Sequence, residues 1–158
     1  MKKLIVSLFC IMVLTIGLSA GEKSVGLFPV CFEIGKDMVG APHLSLHLLV
    51  NAPEKSVSGY SLVKWAVSPP VKMKSNVTGD FTYMTVMPKN THILVVLTGY
   101  PIIKWPPHGG VGPVILPNLH ARIVLTEDWK TGTANFSFID SKGKWHEFDN
   151  VPVKPCIK

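Results

Sequence analysis

Helix signals are nearly missing from this chain. Thirteen prolines and thirteen glycines punctuate its 158 residues, and few stretches run long without one, which argues against long helices and helix bundles. Arginine occurs once, at Arg122. The lysines are scattered along the sequence, whereas nucleic-acid surfaces cluster Lys and Arg on one face, so no nucleic-acid partner is expected. No Gly-x-Ser-x-Gly elbow occurs. No Gly-rich phosphate loop follows a strand and opens a helix, so Gly109, Gly110 and Gly112 read as loop residues. Cysteine is sparse, with Cys10, Cys31 and Cys156 alone. After the N-terminus there is no second long apolar run, so no later transmembrane anchor is expected.

What the N-terminus does hold is one apolar segment. Lys2 and Lys3 precede Leu4–Leu18, and the small residues Ser19, Ala20 and Gly21 follow. That is the order of a secretory signal peptide, assigned to residues 1–20. The run is shorter than the roughly 20 apolar residues that a spanning helix needs. The chain is therefore expected to be secreted or periplasmic, with residues 21–158 as one domain. Of 16 basic residues two lie in the leader, so the remaining 14 face 10 acidic ones and the exported part is only mildly basic. Cys10 leaves with the leader. Cys31 and Cys156 remain, near the two ends of the domain, in a compartment that favours pairing. One disulfide, Cys31–Cys156, is expected; two unpaired buried thiols are the alternative.

The apolar residues recur at period two or in short runs, which predicts strands. Val25–Ile34 reads as a first strand, placed at an edge or bulge by Pro29. Leu44, Leu46, Leu48 and Val50 alternate with His43, Ser45 and His47. Val57–Val67 is a third strand. Val71–Val77 alternates until Gly79-Asp80, which is expected to break it before Phe81–Met87. Ile93–Leu97 is continuously apolar and predicts a strand covered on both faces. Leu119–Leu125 and Ala134–Phe138 alternate, and Ser141-Lys142-Gly143 predicts a tight hairpin with a return strand over Trp145–Phe148. The sum is all-β, an antiparallel β-sandwich of about eight or nine strands, with a β-barrel as the alternative.

Candidate chemistry is thin. His43 and His47 have helical metal spacing, but on a strand they stand about 13 Å apart, too far to share one ion. No metal, cofactor or catalytic residue is assigned. Glu127-Asp128 reads as turn chemistry before Trp129. Asn76-Val77-Thr78 and Asn135-Phe136-Ser137 are formal glycosylation sequons. Residues 99–117, GYPIIKWPPHGGVGPVILP, form the one long connection, and long connections in compact domains are often functional. Tyr100, Trp105 and His108 are its candidate ligand-binding residues, for a protein, glycan or lipid partner. The competing expectation folds this loop over an open end, with Trp105 and Ile103 filling the core.

Three stretches carry a resemblance: Val25-Gly26-Leu27-Phe28-Pro29-Val30; Gly40-Ala41-Pro42 with the strand Leu44–Val50; and Asp128-Trp129-Lys130-Thr131-Gly132-Thr133-Ala134. On these the chain resembles a bacterial domain-of-unknown-function family of small β-rich proteins. The resemblance spans nearly the whole exported part and implies no activity, substrate or site. The functional expectation is an exported, non-enzymatic binding or interaction module. The alternatives are a structural or stress-related envelope protein and, third, a hydrolase assembled from dispersed residues.

Overall fold

A computed structural model describes residues 26–86, 90–104, 112 and 114–156. Eight strands follow one another: β1 (Leu27–Gly35), β2 (His43–Asn51), β3 (Ser56–Trp65), β4 (Val71–Val86), β5 (Asn90–Pro101), β6 (Leu119–Thr126), β7 (Gly132–Ile139) and β8 (Trp145–Pro155). Each pairs antiparallel with the next, and β8 pairs with β1, so the sheet closes into an up-and-down barrel. The all-β expectation holds, and of its two architectures the barrel is the one formed. The sandwich is set aside by the β1–β8 pairing, which leaves one closed sheet without edges.

Register sets the barrel's shape. From Ile34, hydrogen-bonded neighbours lead through Leu44 and Val63 to Met73 on β4. The other way round they lead through Val153, Gly132, Leu125 and Ile93 to Tyr83. The two ends on β4 lie ten residues apart. Eight strands with this stagger tilt by about 40° and leave an interior that side chains just fill. Phe32, Leu44, Leu46, Ile93, Ile123 and Phe136 are among the buried side chains that fill it.

Gly79 does not break a strand. β4 runs unbroken for 16 residues through Gly79-Asp80, which makes eight strands rather than nine. A Cβ at Gly79 would stand 1.8 Å from the Val96 carbonyl oxygen. One at Gly59 would stand 2.0 Å from the His47 carbonyl oxygen. Glycine lets neighbouring backbones close in where a small barrel curves sharply. β5 also departs from expectation. Ile93, Val95 and Leu97 point inward, but Val96 is exposed, so the apolar run is covered on one face only.

The seam between β1 and β8 is short, with Phe32, Glu33 and Ile34 paired to Pro155, Lys154 and Val153. Pro29 is tolerated because there β1 pairs with β2 alone, through Leu49. Just past the seam the Cys156 N–H donates to the Cys31 carbonyl at 3.1 Å, and the Cys31–Cys156 disulfide joins the two strands. It staples the one place where first and last strands meet.

Candidate binding end of the barrel

In an up-and-down barrel, alternate connections lie at the same end. Here one end gathers residues 36–42, 66–70, 102–104 with 114–118, and 140–144. Trp65, at the tip of β3, sits at this mouth. Its Nε1 donates to the Gly40 carbonyl at 2.9 Å. Its ring meets Phe138, His146 and Phe148 edge-on, at centroid distances of 5.9, 4.9 and 5.7 Å. Those edge-to-face contacts close the apolar interior from solvent.

A bulge on β8 brings His146 there. Val153 and Val151 point inward, opposite Gly132 and Ala134. Between Ala134 and Phe136 the register shifts, and Phe136 then faces Phe148. Asn150 takes a positive φ of 51°, and Asn135 Oδ1 accepts its N–H at 2.9 Å. The extra residue reverses the alternation, so Phe148 and His146 stack on the aromatic cluster. Without the bulge both would face outward.

Below the mouth, His146 Nε2 lies 2.9 Å from Asp140 Oδ2, with side chains 19% and 15% exposed. The ionised carboxylate only accepts, so Nε2 carries the proton. Asp140 also accepts the backbone N–H groups of Lys142 and Lys144, at 2.8 and 3.0 Å. The His146 hydrogen bond, followed by the Lys144 N–H, holds the Asp140 carboxyl down at about 2. This dyad orients an imidazole. No hydroxyl or thiol is hydrogen-bonded to His146 among the described residues. Beside it opens a depression of about 440 Å³, lined by Trp65, Met73, Ile139, Lys72 and Lys142. A second, of about 390 Å³, adjoins it across Trp65 and is bordered by Met38, Val39 and Pro70.

Two surface features converge on this end. One is apolar: Met38, Val39, Ile102, Ile103, Val114, Ile115 and Leu116 are all exposed. The other is basic. Lys36, Lys64, Lys72, Lys104, Lys142 and Lys144 are all exposed, on three of its connections and the adjoining strand tips. The lysines that are scattered in the sequence are thus gathered in space. Of the acids on these connections, Asp37 is bonded to Lys154 and Asp140 to His146. Glu147 and Asp149 lie lower, on the exposed wall of β8 beside Lys36.

The residues expected from the sequence divide. Tyr100 is exposed at the end of β5, paired across strands with Asn76, at the root of the 102–118 connection. Trp105 and His108 lie outside the described residues. Ile103 does not fill the core; it is exposed. The connection ends at Asn118, whose carbonyl accepts the N–H of Ile139, a residue lining the larger depression, at 3.0 Å. His43 and His47 both face outward on β2, and among the described residues no group of three His, Cys, Asp or Glu side chains could hold a metal. His47 stacks on Tyr60 at 4.6 Å, with Nδ1 3.3 Å from Cys31 Sγ. Asp128 serves its turn, accepting from the Thr126 hydroxyl and the Lys130 N–H. Trp65, His146, Asp140 and the exposed Met38, Val39, Val114, Ile115 and Leu116 were not singled out from the sequence. The lysines had a usable signal: in a meander, turns of the same parity share an end.

A family model described as Domain of unknown function (DUF1842) matches residues 25–145. The chain belongs to this family. The match runs from the start of β1 to the first residue of β8 and takes in all four connections of this end. A search of curated proteins finds no significant match.

Proposed function

We propose that the chain is an exported, non-enzymatic binding module that engages its partner through the barrel end bearing residues 102–104 and 114–118. The observation that carries this is the exposure of Ile102, Ile103, Val114, Ile115 and Leu116 on that one connection. Single exposed apolar residues are ordinary, but several on one connection mark an interaction surface. The core below is filled by its own side chains, so a partner meets the mouth rather than the interior. Export rests on the leader-like residues 1–20 and on the Cys31–Cys156 bond, which suits an oxidising compartment.

The test replaces Ile102, Ile103, Val114, Ile115 and Leu116 together by serine. Wild type and variant are compared for binding to lipid vesicles, glycan arrays and immobilised envelope proteins. Loss of binding at unchanged melting temperature supports the module. Equal binding by both proteins on every surface removes it. Processing at residues 19–21, read by mass spectrometry of the secreted chain, checks export separately.

A further inference from the structure

We infer that the partner at this end is an anionic phospholipid surface, which the barrel meets with its axis upright and its apolar tips in the headgroup region. This rests on the binding end proposed above and names its partner. Two properties of the end fit a charged bilayer better than a protein or nucleic acid. The apolar side chains sit on separate tips, Met38 and Val39 on one connection and Val114 and Leu116 on another. Separate tips enter a fluid interface independently, with no need of a matching rigid groove. Lysines surround them on three of the connections and on the tips of β3 and β4, and the connections' own acids are already engaged with Lys154 and His146. Lysine stems lie along apolar surface while their ammonium groups reach phosphates. A nucleic acid would use the lysines and leave the apolar tips idle.

The barrel wall argues against a spanning role. Its outward strand positions include the exposed residues Lys74, Asp80 and Arg122, and its interior is apolar. Lipid-facing barrels show the reverse. The contact is therefore peripheral and confined to one end.

The test is co-sedimentation of the full chain, as the host processes it, with vesicles of phosphatidylcholine or of phosphatidylcholine containing phosphatidylglycerol. Binding to the anionic vesicles, weak on the neutral ones and reduced by salt, is expected. Lys104→Gln with Lys142→Gln should weaken partitioning about 25-fold, from a factor of about five per lysine. Val39→Ser with Leu116→Ser should weaken it at least about tenfold. All four sites are exposed, and matched melting curves verify folding. Equal binding to neutral vesicles, or binding unchanged in both variants, overturns the assignment; the second result places the lipid contact elsewhere in the chain. Tighter capture by DNA, insensitive to Val39→Ser with Leu116→Ser, overturns it in favour of a polyanion site. If vesicles are ignored while a protein or glycan binds through the same apolar side chains, the lipid assignment falls and the binding end stands.

Discussion

Removing the Cys31–Cys156 bond should lower the stability of this barrel by about 5 kcal/mol. The bond joins residues 125 apart in sequence. In the chain-entropy view, freeing a loop of that length restores about 16 cal/mol/K to the unfolded chain, or about 5 kcal/mol at 25 °C. Unfolding entropy for a domain of about 130 residues is about 0.27 kcal/mol/K, so the melting temperature should fall by about 18 °C. The seam offers little to offset the loss, since β1 and β8 share only three paired positions. The assay is thermal unfolding, followed by near-UV circular dichroism, of wild type and the Cys31→Ser/Cys156→Ser protein. Hydrogen exchange adds the location: the amides of Ile34 and Val153 should lose protection before those of Leu46 and Ile123. A melting shift under about 5 °C, with the seam amides as protected as the rest, would refute the reasoning. It would mean that backbone pairing and core packing close the barrel without the bond.

Gly79→Ala sets a Cβ against the Val96 carbonyl, and both are backbone; a loss of about 3 kcal/mol or more is expected in urea titration. Trp65→Ala opens the aromatic plug and should cost about 3 kcal/mol, whereas Trp65→Phe, which chiefly loses the bond to Gly40, should cost about 1 kcal/mol. Asp140 has its carboxyl pKa depressed in the fold, to about 2 from an ordinary 3.8. Its stabilising contribution is therefore full above about pH 4 and fades as pH falls through about 2. The stability gap between wild type and Asp140→Asn, measured by urea titration, should narrow across that window; a gap that is constant from pH 5 to pH 2 would contradict the His146 pairing.

Much of the sheet was legible because alternation is local. Leu44, Leu46, Leu48 and Val50 on β2 turned inward as their spacing demanded, as did Leu119, Ala121, Ile123 and Leu125 on β6. The Ser141-Lys142-Gly143 hairpin was legible too, with Gly143 at φ 79°. Gly79 misled because glycine marks both a turn and a close backbone approach, and only the neighbouring strand tells them apart. Barrel and sandwich differ in whether β1 meets β8, a pairing between the chain's far ends that no local pattern encodes. The candidate binding end was less legible still. His146 reads as an ordinary strand residue until the bulge at Asn150 reverses its side. The lysines look dispersed until the turns are sorted by parity. Tyr100 was named because it borders a connection whose length alone marks it.

The stapled seam has a topological consequence. With Cys31 bound to Cys156, the barrel is a covalent ring as well as a hydrogen-bonded one. A backbone cut in the turn at Ala52–Lys55, far from the binding end, would leave every strand attached in a single molecule. Linking the chain after Cys156 to the chain before Leu27 would then give a circular permutant that begins at β3 and keeps the same sheet. The order in which the strands are made is thus separable from the order in which they stand.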